Sequence, residues 1–340
     1  MRRRPEASGR RGAAVCAVAL ALAVLLSAGP TRAQPRGLEL RIDNDQFAFT
    51  RGEDERWYTS GAHLALAILP DPRAPDARLA AAWCARLIAC DRDARPLRLL
   101  SVGHAIHTPA FTGRLEPQPL DRPYAATLHG GLAVVVQGAA TRQTLELRLG
   151  AVGPAALGEG VQNGLHALIG QERARGWGFQ TRAQPLLELA WSRLSRHRLG
   201  WVDGAEAVLR GSLQLGTPVT QAGLGALFVA GSAVTAPHWP GETGLAGAAP
   251  RGWRMHAGFE VRWVGRDALI DADTYGYRSQ VRREWLVGDL LVGAALGIGD
   301  GWSVEAALVL RSVPFDTPDP GARLRPQRFG TIALRRHWGD

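Results

Sequence analysis

The sequence predicts an all-β protein: a transmembrane antiparallel β-barrel of about twelve strands, with one short helix in an outward-facing loop. Three observations carry that expectation. The chain opens on an export leader. Beyond the leader, segments of about ten residues with alternating polarity recur, bounded by Gly, Pro, Asp or Arg. No stretch after residue 33 is long and apolar enough for a membrane-spanning helix.

The leader comes first. MRRRPEASGRR is a basic n-region, AAVCAVALALAVLLSAG an apolar core, and TRA-Q a small-residue cleavage site, so residues 1–33 read as a signal peptide. Residues 34–340 then form the barrel domain. Removing the leader takes away six Arg and one Glu, which lowers the net charge from +9 to +4. All 40 basic residues are Arg, a bias that reads as genomic rather than as a phosphate-binding code, and nothing points to nucleic acid. Cys16 leaves with the leader. Cys84 and Cys90, in WCARLIAC, remain as a local pair that an oxidising periplasm would join in a disulfide.

The alternating segments run in order: Gly37–Phe47, Trp57–Ile68, Pro96–His107, Tyr124–Gln137, Gln143–Ala151 and Gln180–Arg193. Then come Gly200–Gly211, Ala222–Ser232, Trp253–Val264, Val281–Gly297, Trp302–Ser312 and Phe329–Trp338. An even number suits a bacterial single-chain barrel. Along one of them Trp253, Met255, Ala257, Phe259, Val261 and Trp263 share a face that is apolar throughout and aromatic at both ends. A lipid-facing strand crossing two aromatic girdles has that pattern; a soluble sandwich has no need of Trp at both ends. FGTIALRRHW nearly ends the chain with an aromatic residue, as barrel terminal strands do.

Up-and-down connectivity with a periplasmic N-terminus sets the sides. The segment 69–95, with RLAAAWCARLIAC, becomes a periplasmic insert holding a small helix. The segment 152–179 becomes an outward loop. Its VQNGLHALIGQE is spaced like one helical face, with Gln162 and His166 four apart. Glu172 can join that face only if the helix breaks near Gly170, where glycine supplies a C-cap.

Three outward loops hold the unusual polar clusters. The first is Asp43-Asn44-Asp45 with Arg56-Trp57-Tyr58-Thr59-Ser60-Gly61. The second is His107-Thr108-Pro109, Arg114 and Asp121-Arg122-Pro123-Tyr124. The third is Gly153-Pro154, Gln162, His166, Glu172, Gly176-Trp177 and Gln180. Each has a plain structural alternative: DND is a common turn, DRP a common strand entry, and a lone helical His a common surface residue. Together they hold chemistry. Asn44, Asp45, Glu172 and neighbouring carbonyls are hard oxygen donors of the kind Ca²⁺ takes. Imidazole titrates near neutrality, which suits His166 to proton abstraction.

The ordered series DND-Q-F, RWYTSG, HTP, DRPYA, GxxGP…QNGLH…GQE and GW resembles the outer-membrane lipid A 3′-O-deacylases. The match runs from about residue 38 to 180, and the C-terminal half agrees in strand rhythm. The resemblance implies a twelve-stranded barrel in the outer membrane, its active site at the outward rim facing the lipid leaflet. It also implies Ca²⁺-dependent hydrolysis of the ester that holds the 3′ acyloxyacyl group of lipid A, so the partner is lipopolysaccharide, met by a monomer. On the matching positions it makes His166 the general base, Asn44, Thr59 and Gln162 site groups, and Asp45 and Glu172 metal ligands. Arg114 and Tyr124 fall where substrate is contacted. The chain departs from the family pattern at Ala126, which stands in place of a glycine, at His104 and His107, and in the Cys84/Cys90 insert. Two other readings stay open: a non-enzymatic porin-like or lipid-binding barrel, and an esterase or phospholipase acting on another lipid.

Overall fold

The computed structural model describes residues 34–48, 57–86, 90–92, 94–200, 204–232, 238–247, 251–271, 274, 276–319 and 324–338. The expected leader at 1–33 and Arg56 lie outside them.

The strands in chain order are β1 (Gln34–Asn44), β2 (Ser60–Leu69), β3 (Arg95–His107), β4 (Ala125–Gln137), β5 (Thr141–Val152), β6 (Gln184–Arg198), β7 (Ala205–Gly216) and β8 (Val219–Gly231). They continue with β9 (Trp253–Asp267), β10 (Arg282–Arg283), β11 (Leu286–Gly299), β12 (Trp302–Arg311), β13 (Phe315–Asp316) and β14 (Gln327–His337). All but β10 and β13 form one closed antiparallel barrel in which β1 pairs with β14; β10 and β13 pair with each other beside it. Closure leaves no edge strand, the condition for backbone polar groups to survive in lipid.

Four expected boundaries are corrected. Trp57 adopts φ +80, so β2 starts at Ser60 rather than Trp57. A 3-10 turn over Gly176–Phe179 delays β6 to Gln184. A left-handed Gly204 precedes β7, which therefore begins at Ala205 and not Gly200. The segment expected at Val281–Gly297 divides into β10 and β11.

Alternation puts apolar side chains on the outside. Leu38, Leu40 and Ile42 of β1 are exposed in sequence, as are Trp253, Met255, Phe259 and Trp263 of β9. Inside, charge meets charge. Arg335 bridges Glu39 and Glu305, Arg148 bridges Glu146 and Glu188, and Arg262 and Arg311 both grip Asp289. Buried ions are tolerable only when paired this way.

Residues 238–247, in the connection between β8 and β9, lie in the lumen. Leu245 packs on Ala65, Leu97, Leu99 and Val135 of one wall, while Trp239 packs on Val208, Leu227, Leu291 and Val309 of the other. Between them Glu242 receives a hydrogen bond from Arg210 (3.0 Å), and Arg142 donates to the Thr243 carbonyl (2.8 Å). The segment thus bridges the barrel. A cavity of about 510 Å³ remains above and beside it.

Two helices lie against the outer wall of β3 and β4. In β4 the odd residues His129 and Ala133 face the lumen, so the even ones face outward. The insert helix, Pro75–Arg86, places Ala80 on the even residues Val134 and Val136. Cys84 and Cys90 are joined in a disulfide behind it. The rim helix, Gly158–Ile169, stands at the opposite end, where Ala156, Ala174 and Trp177 on either side of it cover Ile106, Ala126 and Leu128 and Gly158 abuts Ala126. Each is pinned by a polar side chain on the outer face of β3. Arg98 donates two hydrogen bonds to Asp76 (2.7 and 2.8 Å), and His104 Nε2 donates to the Ala156 carbonyl (2.8 Å). Polar groups facing lipid would be costly unpartnered, and these two are partnered.

Candidate functional site on the outer face of the rim

The site begins with parity. Asn44 comes after Leu38, Leu40 and Ile42 on the even, outward-facing side of β1. Its cross-strand partners run Ser60 on β2, Ile106 on β3 and Ala126 on β4, one row across four strands. The rim helix stands over the far end of that row. Two strand spacings, about 10 Å, separate Asn44 from Ile106 at the foot of the helix. The tip of β1 and the loop that carries the helix thus lie on the same outer face two strands apart, and the space between these two banks is the candidate groove.

On the first bank, Asn44 Oδ1 accepts the Gln46 N–H (2.8 Å) and so caps a 3-10 turn over Asp45–Ala48. Asp45 opens that turn and is buried. Its N–H points to the Thr59 carbonyl (3.4 Å), Thr59 N–H donates to Ile106 O (3.0 Å), and the Thr59 and Thr108 hydroxyls share a hydrogen bond (2.8 Å). Asp43, one residue away from Asn44, has the opposite parity: it accepts from Tyr58 (2.8 Å) and Thr331 and lines the lumen.

On the second bank, the helix turns its polar side inward. Gln162 Oε1 accepts the Trp177 indole N–H (2.8 Å). Asn163 acts like a strand partner for Ala174, accepting its N–H (2.8 Å) and donating to its carbonyl (3.1 Å). That pairing folds the chain after the helix back along it. The turn is made at Gly170, left-handed at φ +74, where Gln171 N–H returns to the His166 carbonyl (2.8 Å). Glu172 is thereby brought to His166, but through its backbone: His166 Nδ1 donates to the Glu172 carbonyl (2.5 Å), while the Glu172 side chain is exposed. A carbonyl can only accept, so Nδ1 carries a proton, and in the neutral ring the lone pair is on Nε2.

The remaining expected residues have other surroundings. Tyr124 is 3 % exposed, its ring 4.9 Å from that of Trp177 and its hydroxyl donated to the Thr112 carbonyl (2.8 Å). Its hydroxyl is therefore spent inside the protein, a correction to a direct contact with substrate. Arg114 is exposed, its guanidinium 4.5 Å over the Phe111 ring. Gln162 likewise spends its carbonyl on Trp177. Asp121, of the DRP motif, takes hydrogen bonds from Trp57 Nε1 (3.0 Å), Ala110 N–H and Arg122 N–H (2.7 Å each). Burial pushes its carboxyl up against the opposing pull of those donors. It ties the β1–β2 and β3–β4 connections together. The family departure at Ala126 is accommodated by Gly158, where an added Cβ would come within 2.5 Å of the Ala126 methyl.

Asn163, Trp177, His104 and Asp121 are the structural residues that sequence reasoning undervalued. Helical spacing from His166 back to Gln162 could have flagged Asn163 as sharing the inward side. Among the described residues no three His, Cys, Asp or Glu side chains come together in a metal-binding group.

A sequence model of the family described as Outer membrane protein LpxR matches residues 15–338. Among solved structures, LpxR from Salmonella typhimurium is 18% identical with a TM-score of 0.68, over 89% of this chain and 100% of that one. The β domain of the Bordetella autotransporter BrkA is 13% identical with a TM-score of 0.40, over 90% and 99% of the two chains. The translocator domain of NalP from Neisseria meningitidis is 10% identical with a TM-score of 0.41, over 97% and 100%. Among curated protein sequences none matches. At these identities the structural likenesses speak for fold alone.

Proposed function

Because this chain belongs to the LpxR family of outer-membrane proteins, we propose that it hydrolyses the ester holding the 3′ acyloxyacyl group of lipid A in the outer leaflet. The observation that carries the reading is which side of the wall the polar groups occupy. Asn44 and the rim helix stand on the lipid side of the barrel, at the level where the apolar row of β1 gives out. A lipid whose acyl chains lie against that wall presents its ester linkages at the groove.

The chain's own groups divide the work. His166 Nε2 takes a proton from water, and the water oxygen attacks the ester carbonyl carbon. The departing sugar alkoxide recovers a proton from the imidazolium. The Glu172 carbonyl fixes the ring and its tautomer. Asn44 at the tip of β1 and the hydroxyl of Thr59, which shares a hydrogen bond with Thr108, would supply polar groups on the first bank, and Gln162 through Trp177 holds the helix in place. Arg114, exposed beside the groove, suits a lipid phosphate.

The residues that would hold Ca²⁺ stand on the two banks: the buried Asp45 carboxylate on one and the exposed Glu172 carboxylate on the other, hard oxygens of the kind this ion takes. With only two carboxylates, carbonyl oxygens or water would complete the shell. Bound there, Ca²⁺ supplies positive charge that polarises the ester carbonyl.

Mass spectrometry of lipid A from cells with and without the protein tests the reading. Loss of one acyloxyacyl unit is the expected result; unchanged lipid A with Ca²⁺ supplied would overturn it. A pore is disfavoured because residues 238–247 bridge the lumen.

The backbone break offers a finer check. An added Cβ at Gly170 meets open space, so any cost there is conformational. Gly170→Val should lower turnover about tenfold, since a left-handed β-branched residue costs on the order of 1–2 kcal/mol. Gly170→Asn, which tolerates that region, should stay within about twofold. Equal activity of the two variants would remove the break from the account.

A further inference from the structure

The rim helix is amphipathic the wrong way round for a soluble loop. Its wall side carries Gly158, Gln162 and Asn163, all buried. Its free side carries Leu157, Val161, Leu165, Leu168 and Ile169, exposed by 49, 48, 44, 83 and 52 %. Steps of four, four, three and one keep these five on one helical stripe. Glu159 is the only carboxylate on the helix and stands in its first turn. In water such a stripe would be an aggregation liability.

Position says what covers it. The chain on either side of the helix, through Ala156, Ala174 and Trp177, packs on Ile106, Ala126 and Leu128 of the outward row of β3 and β4, and Gly158 at the start of the helix abuts Ala126. That row continues into Leu132, exposed on the same face of β4. The free side of the helix is thus continuous with the barrel's lipid-facing belt, one helix diameter farther out. We propose that the stripe Leu157, Val161, Leu165, Leu168 and Ile169 is submerged in the outer leaflet and packs against its acyl chains, so that the rim helix lies in the membrane rather than above it. The polar side then faces the wall and stays out of lipid, which explains why Gln162 and Asn163 are satisfied internally. His166, four residues from Gln162 and three from Asn163, lies on the wall side behind the stripe and is held at the depth of the first acyl carbons. A substrate need not be lifted out of the leaflet to reach it; this consequence for turnover rests on the deacylase reading, whereas the depth of the helix does not.

Site-directed spin labelling reads that depth without any assay of activity. Leu168→Cys is labelled in the full-length barrel, reconstituted in lipopolysaccharide-containing bilayers. Its collision rates with oxygen and with a water-soluble nickel chelate are compared with two references. Phe228→Cys, on the exposed outer face of β8, reports lipid; Gly113→Cys, on the exposed β3–β4 loop, reports water. Collisions at position 168 matching those at 228 are the expected result. Collisions matching position 113 would overturn the proposal. So would dipolar broadening between labels, which would place a second copy on the stripe. In a second measurement, Leu165→Glu with Leu168→Glu should raise KM on bilayer-embedded lipid A about tenfold and leave turnover on detergent-dispersed lipid A unchanged. Equal losses on both substrates would mean that the stripe only stabilises the helix. If neither form of lipid A is cleaved by the unaltered protein, the deacylase reading fails while the spin-label result stands on its own.

Discussion

Replacing His166 by Asn is expected to lower deacylation of lipid A by two to four orders of magnitude, the range a positioned general base supplies. The barrel should still assemble, since His166 is only partly buried. The clasp that matters for docking is Asn163 on Ala174 and Gln162 on Trp177, and the substitution leaves both in place. KM should change little, because a base acts in the transition state rather than in binding. The orientation of the ring yields a sharper contrast. The Glu172 backbone carbonyl, and not its side chain, receives Nδ1–H. Glu172→Gln therefore keeps the tautomer and the base, so whatever activity it loses comes from the carboxylate. Heat-modifiable mobility of the folded barrel together with initial rates on lipid A would check the pair. Near-unaltered turnover by His166→Asn, in a folded barrel, would remove His166 from the reaction.

Much of this arrangement was legible from spacing. Period-two alternation gave the strands, since each outward position had to suit lipid and each inward one a polar lumen. The break at Gly170 was also legible: Glu172 cannot share the His166 face on a continuous helix, and glycine is the residue that can turn left-handed there. What alternation could not reveal was anything carried by a loop folding onto another element. The lumen segment 238–247 has no period, and its Trp239, Glu242 and Leu245 acquire meaning only when two distant walls supply partners. By alternation alone Arg98 and His104 fall on the lipid face, and the segments that satisfy them come from separate connections. Strand starts shifted before β2, β6 and β7, where a left-handed residue or a 3-10 turn precedes the ladder. The role of Glu172 shifted for a related reason. Sequence names a side chain, and the geometry used its carbonyl.

Removing the cation, or the carboxylate that would hold it, is expected to have the other large effect. EDTA should abolish deacylation and excess Ca²⁺ restore it, because oxyanion stabilisation of about 3–4 kcal/mol corresponds to roughly 10²–10³ in rate. Asp45→Asn should reproduce most of that loss while sparing the fold: the substitution keeps the side-chain shape, and the Asp45 N–H to Thr59 carbonyl contact belongs to the backbone. Raised Ca²⁺ should partly rescue Asp45→Asn, since an amide oxygen remains a weaker hard donor. Asp43→Asn is the informative control. It sits on the same strand tip with its side chain on the lumen side, bonded to Tyr58 and Thr331. If the groove on the outer face is the site, Asp43→Asn should leave the Ca²⁺ dependence of the rate unmoved while Asp45→Asn shifts it to higher concentration. Should the two variants shift it alike, the cation would belong to the lumen, and the assignment of the outer groove to catalysis would fall with it.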